Sequence, residues 1–196
     1  MHTAIDCMVD HEYIGDPTGF AFGYAFLDDG DTEVVMCVDG VNVLGFTKAG
    51  SHRTLRWSPL DGLVSWLRRF ALTMGEDPYP VGDGRGFAAQ RDAEARTFES
   101  DDLDVLDAYY GPLLDWADRH AWAGECGGAV LSNVFFELRG GSVEISWDNR
   151  RPGEGVEFDC VLGGAAVDAE SFKQTVIEFA DAYDRHWGAA DAGGAR

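Results

Sequence analysis

The sequence has few basic residues and no long apolar run. Its 15 Lys and Arg stand against 35 Asp and Glu, which gives a formal net charge of −20. Such a charge repels nucleic-acid phosphates and anionic lipid headgroups. Apolar stretches such as residues 20–27 are strand-length and fall far short of the roughly 20 residues that a membrane-spanning helix needs. The sequence therefore argues against nucleic-acid and membrane partners.

Targeting signals and metal-binding patterns are also missing from the sequence. The N-terminus has no basic region followed by an apolar core, so we expect no secretory signal and a cytoplasmic protein. The four cysteines (Cys7, Cys37, Cys126 and Cys160) are scattered and form no C-x-x-C pair. This spacing favours buried, reduced thiols over a metal site or a disulfide.

Signatures of common enzyme classes are absent as well. The sequence contains no H-E-x-x-H zinc motif, no G-x-S-x-G nucleophile turn, no phosphate-binding P-loop and no dinucleotide-binding glycine pattern. It therefore identifies no catalytic residue, no metal site and no cofactor, and it favours a non-enzymatic function.

What the sequence has is a folded core and a strand-rich first third. Apolar residues make up 45% of the chain and aromatic residues 12%, too many for a disordered protein. Short runs rich in Val and aromatic residues predict strands at residues 3–9, 20–27, 33–38 and 41–46. Asp39-Gly40 separates the last two and is typical of a tight hairpin turn. We expect an antiparallel meander.

The middle of the chain is predicted to be helical. Apolar residues recur at helical spacing over residues 60–74. A further helix is expected from Ser100 to about Trp122, kinked or split at Gly111-Pro112, because proline removes a backbone hydrogen bond.

The last third predicts a hairpin, a third strand and a final helix. Gly140-Gly141 separates two runs with alternating apolar residues. This register pairs Leu138 with Val143, Phe136 with Ile145, and Val134 with Trp147. The alternation continues in a third strand from Val156 to Leu162, and Asp168 is placed to cap a helix that ends near Trp187.

These elements predict one α+β domain over residues 1–187. It consists of an N-terminal antiparallel meander, central helices, and a C-terminal three-stranded antiparallel unit followed by a packing helix. Residues 75–86, rich in Gly and Pro, are a candidate internal boundary. Residues 188–196 are small and polar and are expected to form a disordered tail.

Residues 143–149 read Val-Glu-Ile-Ser-Trp-Asp-Asn, ahead of one more strand and a helix. From Trp116 to about Tyr183 the order of elements resembles that of uncharacterised actinobacterial domains whose hairpins carry a similar run. Some of those proteins look like immunity or defence-associated components. The resemblance covers about a third of the chain. It implies no catalytic residue.

The most informative feature is a stripe of acidic residues with no Lys or Arg among them. Between Glu99 and Asp118 there are seven carboxylates and no Lys or Arg. At about 100° per residue, five of them share one side of the predicted helix: Asp101, Asp104, Asp107, Asp115 and Asp118. The apolar residues are expected on the other side: Leu103, Leu106, Tyr110, Leu113 and Ala117.

Two further acids are expected on the outer face of the C-terminal hairpin. The predicted register places Glu137 directly opposite Glu144, an arrangement that costs stability. We interpret the five aspartates of the helix, together with Glu137 and Glu144, as a docking surface for a basic protein partner, as in an immunity-like inhibitor.

Two alternatives stay open at this point. The first is a small hydrolase or ligand-binding enzyme that uses His52 together with Asp148, Arg150 and Arg151, since two arginines in one loop suit an anionic ligand. The second is a structural subunit whose charge only keeps it in solution.

Overall fold

The computed structural model describes residues 11–27, 31–57, 60–82, 84–122 and 132–193. Within these ranges the chain forms eleven strands and four helices, an α+β architecture with antiparallel sheets. The strand expected at residues 3–9 lies outside the described residues.

The N-terminal sheet contains five strands, all paired antiparallel. They are β1 (Glu12–Gly15), β2 (Phe20–Phe26), β3 (Thr32–Val38), β4 (Val41–Asn42) and β7 (Leu55–Trp57). The turn between β3 and β4 has positive φ at both Asp39 and Gly40, as the sequence predicts. The expected strand over residues 41–46 is interrupted, because the chain leaves this sheet after Asn42.

A second sheet joins distant parts of the sequence. Strands β5 (Phe46–Lys48) and β6 (Ser51–Arg53) form a short hairpin, and β10 (Val156–Phe158) pairs with β5 on its other side. The first and last thirds of the chain are therefore connected by backbone hydrogen bonds. The interpretation as one domain stays a prediction that this pairing supports.

The C-terminal sheet confirms the predicted hairpin. Strands β8 (Val134–Arg139) and β9 (Ser142–Asp148) pair in the expected register, with Phe136 opposite Ile145 and Val134 opposite Trp147. The third strand of this sheet is β11 (Leu162–Asp168). The predicted third strand over residues 156–162 is wrong in its partner, because β10 belongs to the second sheet.

The four helices are α1 (Asp61–Thr73), α2 (Ala88–Ala95), α3 (Leu103–His120) and α4 (Ala169–Gly193). Helix α2 was not expected from the sequence, since its eight residues carry no stripe of large apolar side chains. Helix α4 begins after Asp168, whose carboxylate accepts a hydrogen bond from the Ser171 N–H at 2.9 Å. It extends into the segment expected to be a disordered tail, in keeping with the high helix propensity of the alanines there.

The main core lies between the sheets, α1 and α4. It brings together aromatic side chains from every third of the chain, including Phe22, Trp66, Phe136, Phe172 and Phe179. Phe22 and Phe179 stack with ring centroids 4.5 Å apart. None of the described helices combines the length and the apolar character that crossing a membrane requires.

Candidate functional site

Helix α3 begins at an acidic N-cap. The Asp102 carboxylate accepts hydrogen bonds from the backbone N–H groups of Asp104 and Val105, at 2.9 and 3.4 Å. The expected start at Ser100 is therefore too early. The helix continues through Gly111 and Pro112 to His120, so of the kink or split that was expected there, the split is wrong. Proline removes only one hydrogen bond, and Gly111 has no Cβ to clash with the proline ring.

The fully buried side chains of α3, Leu113, Trp116 and His120, lie in its second half. The first half is more exposed and contacts the preceding segment through the half-buried Tyr109, which stacks on Phe98 with ring centroids 4.1 Å apart. Leu103, expected on the buried side, is 74% exposed, and Leu114 is 50% exposed. The described part of the protein leaves both of these apolar side chains uncovered.

Four carboxylates form what we call the acidic face of α3: Asp104, Asp107, Asp115 and Asp118. At about 100° and 1.5 Å per residue, they lie within an arc of about 80° over a length of about 21 Å. All four side chains are exposed, and none has an ion-pair partner within the described ranges. The neighbouring Arg119 forms its ion pair with Asp77, at 2.9 Å, and its guanidinium also donates to the Asp115 backbone carbonyl at 2.7 Å. The four carboxylates of this face are thus uncompensated by any ion pair within the described residues.

An open recess adjoins the N-terminal end of the acidic face. It has a volume of about 600 Å³ and is lined by both acidic and apolar side chains, among them Glu99, Asp101, Leu106 and Tyr110. The Tyr110 hydroxyl donates a hydrogen bond to the Phe98 carbonyl oxygen at 2.7 Å, which fixes one wall. Asp101 lies just before the helix and extends the negative surface into this recess.

Glu137 and Glu144 are not part of that surface. They lie opposite each other, as predicted, but α2 covers this face of the hairpin and Glu137 is 0% exposed. The Glu137 carboxylate pairs with Arg91, and the Glu144 carboxylate accepts a hydrogen bond from the Ala88 N–H at 2.7 Å, at the start of α2. The expectation that Glu137 faces solvent is wrong, because the sequence does not show that α2 lies above it.

A polar network connects Glu137 to α2 and to the segment before it, and the sequence analysis did not predict it. The Tyr79 backbone N–H donates to Glu137, and the Arg91 guanidinium lies 5.3 Å from the centre of the Tyr79 ring. Burial and the nearby Asp92 carboxylate raise the pKa of the Tyr79 hydroxyl. No local sequence signal could have revealed this network, because its members lie far apart in the chain.

In the alternative ligand site, Asp148 and Arg150 pair with each other, and His52 has a partner from outside the site. The His52 Nε2 atom lies 2.7 Å from the Asp159 carboxylate, and both side chains are exposed. Arg150 donates from Nε to Asp148 at 2.9 Å, and this hydrogen bond holds the pKa of Asp148 below its ordinary value. Arg151 is exposed. The use of these residues as one ligand site stays a prediction.

A second cleft, missed by the sequence analysis, lies between α1 and α3. It measures about 340 Å³ and contains the buried His120. His120 contacts the Phe136 carbonyl through Nδ1 at 2.7 Å and the Asp77 carboxylate through Nε2 at 3.0 Å. Burial alone would raise the pKa of Asp77, but hydrogen bonds from His120 and Arg119 hold it below its ordinary value. Both ring nitrogens of His120 are thus engaged in structural contacts.

Among the described residues, no group of three or more His, Cys, Asp or Glu side chains is arranged to hold a metal ion.

Comparison with known proteins leaves the family open. No protein-family profile matches the sequence, and no curated protein does. A crystal structure of CdiI from Burkholderia dolosa AUO158 is similar to this chain, with a TM-score of 0.46 and 13% sequence identity. The similarity covers 87% of this chain and 99% of that one.

Proposed function

We propose that this protein is a non-enzymatic binding module whose acidic α3 face engages a basic protein, in the manner of an immunity-like inhibitor. One observation carries the proposal: uncompensated carboxylates and exposed leucines occur together on one helix. Either feature alone would suit an ordinary solvated surface.

The carboxylates supply attraction and orientation. Asp104, Asp107, Asp115 and Asp118 are uncompensated over about 21 Å, measured as helix rise. A surface of one sign raises the rate at which an oppositely charged partner is encountered and disfavours partners of the same sign. The excess of acid over the whole chain adds to this field.

The leucines supply the apolar contact that a specific interface needs. Leu103 and Leu114 are eleven residues apart, so their positions differ by only about 20° around the helix axis. Both are at least half exposed, and they run along one border of the acidic face. Stable interfaces commonly combine an apolar centre with a charged rim.

The test compares two variants that lose the same amount of charge. The first replaces the acidic face: Asp104→Asn, Asp107→Asn, Asp115→Asn and Asp118→Asn. The second removes four exposed carboxylates on other elements: Glu94→Gln, Glu154→Gln, Glu157→Gln and Glu170→Gln. Each variant and the wild type are used to capture proteins from an extract of the source cells at low and high salt.

We expect the wild type and the second variant to capture the same basic protein, and the first variant to lose it while remaining folded. Capture by the wild type should weaken as salt rises, because exposed charges are screened beyond about 8 Å at physiological ionic strength. Salt-insensitive capture by all three proteins would refute the proposal. If the captured protein is an enzyme or toxin, its activity should fall with added wild type and not with the first variant.

A further inference from the structure

Strand β11 ends the C-terminal sheet with an edge that no described strand covers. It pairs with β9 through seven consecutive residues without a bulge, and the order of the sheet is β11-β9-β8. An unpaired edge presents a row of backbone donors and acceptors to any extended chain that approaches.

The register shows which backbone groups point outward. The Asn149 N–H donates to the Val161 carbonyl at 2.7 Å, and the Ala169 N–H donates to the Gly141 carbonyl at 3.2 Å. Because hydrogen-bonded and non-hydrogen-bonded pairs alternate in an antiparallel ladder, the odd-numbered residues of β11 bond to β9. The N–H and C=O groups of Gly164 and Ala166 therefore point away from β9.

The edge of β11 lacks the sequence features that usually prevent an exposed strand from pairing with another chain. Proteins block exposed edges with Lys, Pro, bulges or very short strands. Strand β11 reads Leu-Gly-Gly-Ala-Ala-Val-Asp, with only Asp168 charged. The Phe87 ring packs on one face of the sheet at Gly164, but the side chains at positions 163–166 are too small to block the edge itself.

The outer edge opens into a cleft of about 500 Å³. Ala166, Val167 and Asp168 form one side, the turn between β1 and β2 forms the other, and α4 forms the floor. Four carboxylates line the cleft and no Lys or Arg does: Asp16, Asp39, Asp168 and Glu178. Hydrogen bonds from Thr18 and Ser171 hold the pKa values of Asp16 and Asp168, respectively, below their ordinary range, so both are negative at neutral pH.

We propose that the outer edge of β11 binds an extended, basic segment of another protein as an additional strand. Backbone hydrogen bonds to Gly164 and Ala166 supply the pairing, and Lys or Arg side chains of the segment reach the carboxylates of the cleft. A second copy of this chain is a poor occupant, since it would bring the same acidic cleft residues and a net charge of −20. This site is separate from the acidic face of α3 and does not depend on it.

The probe is a fluorescein-labelled decapeptide of alternating Lys and Thr, a soluble sequence with high strand propensity. Its control carries the same charge but is methylated at every backbone nitrogen, so it cannot donate backbone hydrogen bonds. By fluorescence anisotropy we expect the wild type to bind the probe about tenfold more tightly than the control, the effect of one or two net hydrogen bonds.

Two variants locate the binding site. Ala166→Pro removes an outward N–H that the β9 ladder does not use, and it should abolish the preference for the unmethylated probe. The quadruple Asp→Asn variant of the α3 face should keep that preference even if overall affinity falls. Failure of the β11 site and failure of the α3 proposal are thereby distinguishable.

Amide hydrogen exchange supplies a test that needs no variant. In the protein alone, the Gly164 and Ala166 amides should exchange rapidly, while those of Ala165 and Val167 are protected. Addition of the probe should slow the exchange of the Gly164 and Ala166 amides. Equal binding of the probe and its methylated control would overturn the proposal. So would protection of Gly164 and Ala166 without the probe, because another segment or a second copy would then occupy the edge.

Discussion

Glu137 and Glu144 face each other across the hairpin, yet each has its own positive partner. Arg91 neutralises Glu137 in the interior, whereas Glu144 accepts from the Ala88 N–H at the start of α2 and lies 3.6 Å from the Arg139 guanidinium. The repulsion expected between two opposed carboxylates is thereby offset. Alternation in the hairpin predicts the pairing of these residues, but it contains no information about the helix that covers them.

At the residue scale, Trp147→Ala should be strongly destabilising. Trp147 is 6% exposed and lies opposite Val134 on the inner face of the hairpin, and its ring occupies the space that a Cβ on Gly163 would need. Truncation should lower the free energy of unfolding by about 3–5 kcal/mol, measured by urea denaturation. Trp147→Phe should cost less, because it leaves a smaller cavity. A near-neutral Trp147→Ala would mean that the indole is not part of the core.

Asp77 should contribute to stability in a pH-dependent way. Its pKa is lower in the folded protein than in the unfolded chain, so the ionised form stabilises the fold above the unfolded-state value near 3.8. This contribution is lost as the pH falls through the lower, folded-state pKa. Asp77→Asn should therefore reduce the free energy of unfolding at pH 7, and its difference from the wild type should shrink as the pH falls to about 3. Urea titrations at both pH values measure this, and a constant difference would contradict it.

At the element scale, α3 tolerates a proline in an unusual position. Pro112 has no N–H to donate to the Ala108 carbonyl, which therefore lacks its usual helical partner. Pro112 and Ala108 are both exposed, so solvent can reach this part of the helix. The buried residues of the following turns, Leu113, Trp116 and Ala117, keep the helix continuous.

Pro112→Ala should consequently stabilise the protein. The substitution restores one helical hydrogen bond and replaces proline by the residue with the highest helix propensity, and we expect the free energy of unfolding to rise by about 1–3 kcal/mol. Leu114→Ala, two positions away and half exposed, is the matched control. It should change the free energy of unfolding by less than about 0.5 kcal/mol. Thermal and urea denaturation of both variants provide the measurement. A loss of stability in Pro112→Ala would contradict this expectation and show that contacts of the proline ring stabilise the fold.

Elements with a strong local pattern are predicted well from the sequence, and elements defined by distant partners are not. The β8–β9 register follows from Gly140-Gly141 and the alternation around it. The segment from Val156 to Leu162 alternates equally well, but its strands belong to two different sheets. Alternation shows that one face is buried and does not show against which strand. The acids of the α3 face could be read from helical spacing, whereas the exposure of Leu103 depends on how far the helix projects.

At the scale of the whole molecule, the net charge of −20 should reduce stability at low salt. Raising NaCl from about 0.01 M to about 0.1 M shortens the screening length from about 30 Å to about 10 Å. We expect the melting temperature of the wild type to rise by a few degrees over this range, since self-repulsion weakens. The quadruple Asp→Asn variant should show a smaller rise. A melting temperature that is constant or falls would mean that local ion pairs outweigh the repulsion.

The pairing of β5 with β10 also affects the order in which a growing chain can fold. Residues Phe46–Lys48 and Val156–Phe158 are separated by more than half the length of the sequence. During synthesis the first half of the protein leaves the ribosome well before the strand that pairs with β5 exists. Contacts between such distant segments form slowly, because a long loop must close before they are made. We therefore expect the nascent chain to expose one side of β5 until β10 has left the ribosome, which makes that strand a binding point for chaperones.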